Sequence, residues 1–306
     1  MKILFTGATG VLGRASVPLL ISDGHDVAAV YRSDREARWL EEVGARPTKA
    51  DLFDRESVDQ AMPGVDTVVH FATSIPPQTT MARRSSWDMN DRLRSTATEI
   101  LVDAAIDHGV ERFVQESISF IYADGGDEWL DESAPIAPVW DVLESALTAE
   151  THVDRFRASG GQGLVLRLAR LYGPGPASRE YVDAVRNHSI PIVGKGSNYV
   201  SSIHSGDAAT ALAAAMSAPE GTYNIADDAP MRSAENLAAL VTALDAPKPG
   251  RVPSWMARAA LRGATSMLTV SHRVSNEAFK SVTGWQPAFP SAVEGWEQVV
   301  RSIPEA

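Results

Sequence analysis

The 306-residue sequence contains no cysteine, which excludes disulfides, a thiolate nucleophile and a sulfur-ligated metal. No apolar run approaches the roughly eighteen residues that cross a bilayer, and the first strand-like run starts at Lys2, leaving no room for a secretory leader. The expectation is a cytoplasmic protein without a membrane partner. Positive charge is scarce: 28 Lys and Arg against 39 Asp and Glu leave a formal charge of -11, which argues against a nucleic-acid partner. The seven histidines lack the spacing of a His-Glu-x-x-His site, so no metal is expected. One more absence concerns chemistry. Tyr31, Tyr122, Tyr172, Tyr181, Tyr199 and Tyr223 are followed four residues later by Arg35, Gly126, Pro176, Val185, Ile203 and Asp227, so the chain has no Tyr-x-x-x-Lys pair.

What is present begins at the first residues. Lys2-Ile3-Leu4-Phe5 reads as a buried strand, and Thr6-Gly7-Ala8-Thr9-Gly10-Val11-Leu12-Gly13-Arg14 reads as a glycine turn entering a helix. Such a turn needs positive φ, close backbone approach to a pyrophosphate and tight contact between helix and strand, which Gly7, Gly10 and Gly13 would supply. The helix N-terminus would then offer free N–H groups to the phosphates of a dinucleotide. A carboxylate about twenty residues on would accept the ribose 2′-OH; here the second strand ends in Tyr31-Arg32-Ser33. Arg32, with Arg14 and less clearly Arg35 nearby, is expected to pair with a 2′-phosphate, making the cofactor NADP(H). The alternative for each is a solvated surface arginine.

Strand-like runs at Ile3 to Phe5, Asp26 to Tyr31, Thr67 to His70, Arg112 to Gln115 and Leu164 to Leu168 alternate with helical stretches near Leu12 to Ser22, Asp34 to Val43, Arg55 to Met62, Asp91 to His108 and Val139 to Ala158. That alternation predicts an α/β Rossmann fold, a doubly wound parallel sheet. From Tyr172-Gly173-Pro174-Gly175-Pro176 onward, Pro and Gly punctuate shorter pieces, which suggests a smaller α/β lobe for substrate. The expected division is residues 1–172 for the nucleotide, with return segments near 203–225, and 173–306 mostly for the lobe. Arg251 to Val270 is the hardest part to read and is a candidate helical lid.

The chain resembles the extended and atypical short-chain dehydrogenases/reductases, the group that includes sugar-nucleotide epimerases and dehydratases. The resemblance runs through Thr6-Gly7 to Gly13, Asp51-Leu52, Val68-Val69-His70-Phe71-Ala72, Arg112-Phe113-Val114-Gln115-Glu116-Ser117, Leu166-Arg167, Leu171-Tyr172-Gly173-Pro174-Gly175, Ile203-His204-Ser205-Gly206-Asp207, Tyr223-Asn224-Ile225 and Gly284-Trp285-Gln286-Pro287. It implies Asp51 and Leu52 at the adenine, Phe71 and Ala72 along the cofactor with Thr73 beyond, and Leu171 and Tyr172 to Pro174 near nicotinamide and substrate. Read by themselves, Asp51 fits a helix N-cap and His204 a packed core imidazole.

The resemblance also implies a Ser or Thr, a Tyr and a Lys for proton chemistry, and their positions here hold Ile118, Val142 and Ala146. The Asn that completes the set falls near Arg94, with Asn90 one turn earlier. Ser117 and Ser119 flank Ile118, but strand alternation points both away from its direction. Three readings follow. In the first, NADPH delivers hydride to a small-molecule ketone without a protein acid; a carbonyl already hydrogen-bonded to a neighbouring phenol, as in polycyclic aromatic polyketides, would do without one. This combination resembles the atypical ketoreductases of angucyclinone antibiotic biosynthesis. In the second, the acid is relocated to Ser117, Ser119, Tyr122, Ser145 or Tyr172, each of which also has an ordinary structural explanation. In the third, the chain is an NADPH-sensing regulator. A sugar-nucleotide epimerase fits least, because the base that must take a hydroxyl proton is missing. Trp87, Trp129, Trp140 and Trp255 would either line an aromatic-friendly pocket or simply pack, and Thr73 to Gln78 would either line the nicotinamide side or form a stiff loop. A monomer or homodimer is expected.

Overall fold

The computed structural model describes residues 1–77 and 79–303. Its first half runs β1 (Lys2–Thr6), α1 (Val11–Ser22), β2 (Asp26–Val30), α2 (Asp34–Glu42), β3 (Arg46–Thr48), α3 (Arg55–Ala61), β4 (Thr67–His70), α4 (Asp88–Arg92), α5 (Thr98–Asp107), β5 (Arg112–Ile118), β6 (Trp129–Leu130), α6 (Glu144–Ala158) and β7 (Gln162–Leu168). The second half continues with β8 (Arg170–Tyr172), α7 (Pro176–Arg186), β9 (Ile192–Val193), β10 (Tyr199–Val200), β11 (Ser202–His204), α8 (Ser205–Ala215), β12 (Gly221–Ile225), β13 (Met231–Arg232) and α9 (Ser233–Ala243). It closes with β14 (Arg251–Val252), α10 (Ser254–Leu261), α11 (Ser266–Thr269), β15 (Arg273–Val274), α12 (Glu277–Thr283) and α13 (Ala292–Ser302).

Seven strands form one parallel sheet in the order β12-β7-β5-β4-β1-β2-β3. Helices cover both faces, so its central strands read as continuous apolar runs rather than alternating ones. The period of two is still visible in where the side chains go: Ile3 and Phe5 join α1 and α8 through Val17, Leu20, Ala208 and Leu212. Leu4 turns to the other face, with Leu101, Phe113 and Phe156. The doubly wound Rossmann architecture is therefore as the alternation predicts. The lobe is built on α7, α9 and α13, whose Val182, Leu240 and Val299 close around Tyr172 and Trp296. Two-stranded pairs, among them β8 with β11 and β6 with β15, tie it to the sheet.

Several boundaries differ from the sequence expectation for physical reasons. β5 runs on to Ile118, because the carboxylate of Glu116 that looks like a strand end is neutralised by a buried arginine. The helix expected over Asp91 to His108 is interrupted by a π-turn at Leu93–Ala97, and α6 starts at Glu144 after a 3-10 turn at Asp141–Leu143 rather than at Val139. β3 and β12 are strands beyond those the apolar runs predict: the first has three residues at a sheet edge, and the second returns from far along the chain.

Candidate functional site

The glycine turn joins β1 to α1 at the carboxyl end of the sheet. Gly7 has φ +80°, and a Cβ there would lie 2.4 Å from the Phe71 carbonyl oxygen, so only glycine fits beside the loop that follows β4. Gly13 meets Ala8 just as closely, which lets α1 rest on the turn. No side chain caps the N-terminus of α1 and no acidic residue occupies its first turn, so its N–H groups and positive dipole end are left for a pyrophosphate. Phe71 packs edge-on against Phe5 behind the turn. The Thr6 hydroxyl lies 2.5 Å from His70 Nδ1, and His70 Nε2 lies 3.1 Å from the Leu93 carbonyl. A carbonyl can only accept, so Nε2 carries the proton and Nδ1 accepts from Thr6. Burial holds His70 neutral, lowering its pKa to about 4. Beyond it the Ser74 N–H donates to Oδ1 of fully buried Asn90, which anchors the loop over which Ala72 and Thr73 pass; Gln78, also named in the loop expectation, lies outside the described residues.

Arg32 stands at the end of β2 as expected, with its side chain 87% exposed. What the sequence reading misses is Glu36. Its carboxylate accepts from the Thr9 hydroxyl at 3.1 Å, the Arg32 N–H at 2.7 Å and the Ser33 N–H at 3.2 Å, and it pairs with the Arg32 guanidinium at 3.4 Å. Desolvation pushes its pKa up, but these donors outweigh that and hold it below the usual carboxylate range. The signal is legible: Ser33 to Glu36 is a capping box. Arg14 stacks 4.3 Å over Trp39 and donates to the Thr9 carbonyl. Arg35 is solvent-exposed. Tyr31 packs on the core beside α2. Asp51 is not an N-cap; its carboxylate closes an Asx turn on the Phe53 N–H, and Asp54 caps α3. Leu52 is half-buried against the sheet. Val11 and Leu171 are exposed, and Leu12 packs on the core. The Tyr172 ring, expected near nicotinamide and substrate, packs 4.8 Å from Trp296, and its hydroxyl donates to the Ser291 carbonyl at 3.4 Å.

The positions that would carry proton chemistry are filled with hydrocarbon. Val142 and Ala146 are fully buried, and with Trp87, Ile121 and Leu143 they form an apolar cluster on which Ile118, Phe120, Trp140 and Met267 pack. Trp87 and Trp140 meet edge-on at 5.7 Å. Both therefore pack in place of the missing acid instead of lining an open pocket. Trp129 lies under Arg273 and Trp255 faces solvent.

The hydroxyls nearby are mostly committed to scaffolding. Arg167 forms a two-pronged pair with Glu150 at 2.7 and 2.9 Å, and the Ser117 hydroxyl donates to the same carboxylate at 2.6 Å. Burial works against the Arg167 charge, but Glu150 outweighs it and raises its pKa. Tyr122 accepts from Arg167 at 2.9 Å and donates to Asn224 of β12 at 2.8 Å; burial raises its pKa. Ser117 and Tyr122 are thus corrected from candidate acids to parts of a network joining β5, α6, β7 and β12. Ser145 only leans on the Val142 carbonyl of the 3-10 turn that precedes its helix. Arg94, in the π-turn where the resemblance implies an asparagine, grips Glu116 at 2.8 and 3.0 Å. His204 caps α8 through Nδ1 and donates to Gln298, a packed imidazole as expected.

Ser119 is different. It begins a 3-10 turn, so the strand alternation that would turn it away ends before it. Its hydroxyl has no hydrogen-bond partner among the described residues, and it lines a small cavity of about 10 Å³ with Phe120, Arg170, Tyr199, Met267 and His272. Among the described residues no group of three or more metal-ligating side chains assembles, and no helix is long and apolar enough to cross a membrane.

Comparison with known proteins agrees with this geometry. A "3-diazoavenalumate denitrifying reductase" from a Streptomyces species is 33% identical over 96% of this chain and 99% of its own length. A 4-hydroxy-2-methyl-3-oxo-4-farnesyl-3,4-dihydroquinoline-1-oxide ketoreductase from Stigmatella aurantiaca is 29% identical over 85% of this chain and 78% of its own. Among solved structures, the human epimerase family protein SDR39U1 with NADPH superimposes with a TM-score of 0.78 at 20% identity, covering 99% of this chain and all of that one. The dTDP-glucose 4,6-dehydratase DesIV of Streptomyces venezuelae, with NAD bound, gives 0.81 at 20% identity, covering 98% of this chain and 96% of that one. With the profile of the NAD dependent epimerase/dehydratase family matching residues 3–226, the glycine turn and the seven-stranded sheet are those of a chain that belongs to that family.

Proposed function

We propose that the protein is an NADPH-dependent reductase that delivers hydride to a ketone of a small aromatic molecule without a protein acid. The observation that carries this reading is the closed apolar cluster at Ile118, Val142 and Ala146, in a fold whose glycine turn is intact. NADPH, when bound, supplies the hydride. The chain's own part is to hold the pyrophosphate on α1, the 2′-phosphate on Arg32 with Arg14 near, and the acceptor in a water-poor space. Glu36 beside Arg32 supports contact with the ribose as well, and both cofactors belong in the test. A missing general acid costs about 10² to 10⁴ in rate. A carbonyl hydrogen-bonded to its own phenol recovers much of that, which favours polycyclic aromatic polyketides of the angucyclinone kind, reduced as in simocyclinone assembly at a C7 carbonyl.

A second acceptor is favoured by the denitrifying reductase that matches this chain almost end to end. Hydride added to the ring carbon of an arenediazonium forms a C–H bond, breaks the C–N bond and releases N₂, while NADPH becomes NADP⁺. No alkoxide forms, so no proton donor is required. The test is absorbance at the reduced-nicotinamide band with polycyclic aromatic ketones, arenediazonium salts and sugar nucleotides in parallel. Consumption with ketones supports the first reading; consumption with N₂ release supports the second. Tight NADPH binding with no oxidation across the panel, joined to a protein partner in pull-downs, would point to a regulator.

A further inference from the structure

Arg170 follows β7 at the carboxyl end of the sheet, where the chain passes toward the lobe. Among the described residues its side chain pairs with no carboxylate: the guanidinium makes one hydrogen bond, a long one of 3.5 Å to the Met267 carbonyl, and lies 6.0 Å from the Phe120 ring. Of the other arginines enclosed near the sheet, Arg94 is answered by Glu116 and Arg167 by Glu150, while Arg112 is met by three neutral acceptors, the Ala215 and Ala218 carbonyls and the Gln162 side chain; Arg170 has one such acceptor. Burial is the main influence on Arg170 and pushes its pKa down, with the Tyr181 phenol acting weakly the other way. Arg170 is half-buried, and a guanidinium partly withdrawn from water with a single long carbonyl contact has donors to spare for an anion.

The surroundings have the same sense. Ser119 and Tyr199 line the cavity with Arg170, and neither hydroxyl has a hydrogen-bond partner among the described residues. His272 also lines it; burial lowers its pKa, and its Nε2–H is spent on the Tyr122 carbonyl. Ser201 is spent on the His272 carbonyl and the Val274 N–H. Asp127, an acidic side chain on the Tyr199 side, is paired with Arg232. So the cavity offers one cation and two hydroxyl donors, and the acceptor that meets the cation is a single backbone carbonyl.

We propose that Arg170, with Ser119 and Tyr199, holds a carboxylate carried by the hydride acceptor, making this enzyme selective for aromatic acids over their neutral esters. The cavity has room for about one water. A ligand therefore enters as the turn bearing Met267 and Val270 moves aside, and its carboxylate takes the place of the Met267 carbonyl on the guanidinium. The inference rests on the reductase reading for the words "hydride acceptor", but the anion site stands on its own geometry.

The test uses the full chain saturated with NADP⁺ and calorimetric titration of 1-naphthoate, inorganic phosphate and methyl 1-naphthoate. Naphthoate is expected to bind about tenfold or more tighter than its ester, the size of a charge-assisted bond. Arg170→Gln should erase that preference and Arg170→Lys restore part of it, with NADPH affinity and thermal midpoint close to those of the unaltered protein. Equal affinity for acid and ester in the unaltered protein overturns the proposal, and so does phosphate binding as tightly as naphthoate, or Arg170→Gln weakening acid and ester alike. Where an acceptor is found, Arg170→Gln should raise KM for its carboxylated form and leave kcat near its starting value. Absence of turnover would sink the reductase reading while the titration still decides the anion site.

Discussion

The two ends of one helical segment carry opposite chemistries. At its start, Val142 of the 3-10 turn and Ala146 of α6 sit in a cluster of tryptophan and aliphatic side chains; one turn further on, Glu150 grips Arg167 and Ser117. Charge remains where it fastens α6 to the sheet and is gone where it would move protons. The difference teaches that the fold's ionic brace and its proton machinery are separable, although only a few residues divide them.

The comparison breaks hardest at the brace. Glu150→Ala leaves a buried guanidinium unpaired and is expected to cost about 3–5 kcal/mol, read by urea unfolding. The opposite end can be attacked by rebuilding what is missing: Val142→Tyr with Ala146→Lys should lower stability by about 1–3 kcal/mol or more through overpacking and an unpaired buried amine, and should not raise kcat. A clear gain in kcat would mean that the cluster is a vacant acid site.

At the nucleotide end, Arg32→Glu should weaken NADPH by about tenfold or more and NADH by far less, measured by fluorescence titration; similar losses would contradict the 2′-phosphate assignment. His70 gives a pH effect on stability. Its folded pKa of about 4 lies below the ordinary 6.5, so the unfolded chain binds the extra proton between those values. Stability is therefore full above about 6.5 and falls by up to about 1.4 kcal/mol per pH unit toward 4. Urea midpoints of the unaltered protein and His70→Asn should converge as the pH is lowered through that window. The smallest effect is at the network's rim: Tyr122→Phe removes the donor to Asn224 and should cost about 1 kcal/mol with turnover retained.

Most of the sheet is legible in the amino-acid sequence. The apolar runs that form β1, β2, β4, β5 and β7 are covered on both faces, so hydrophobicity alone marks them. β3 escapes the apolar pattern because an edge strand of three residues leaves little of it; β12 falls in the expected return segments near 203–225 but is not marked as a strand, because its pairing depends on a partner far earlier in the chain. The glycine turn can be located by spacing, and the three apolar positions, Ile118, Val142 and Ala146, by the resemblance. The roles of Ser117, Ser119 and Tyr122 cannot, since they turn on which hydroxyl finds a partner across the sheet. Glu36 is visible as a cap but carries no sign that it also takes the Thr9 hydroxyl and the Arg32 guanidinium; Arg170 has no local mark, because its lack of a carboxylate partner among the described residues is a matter of what lies beside it in space.

The placement of β12 governs how the polypeptide matures. The outer margin of β7 stays bare until residues 221–225 are made, and the Tyr122 hydroxyl waits for Asn224 on that same strand. A fragment stopped at residue 172 would display an open seam to its neighbours and is expected to precipitate or be degraded, however complete its nucleotide motif. During synthesis on the ribosome the sheet cannot be sealed until most of the message has been translated, so this enzyme gains its nucleotide platform late and all at once.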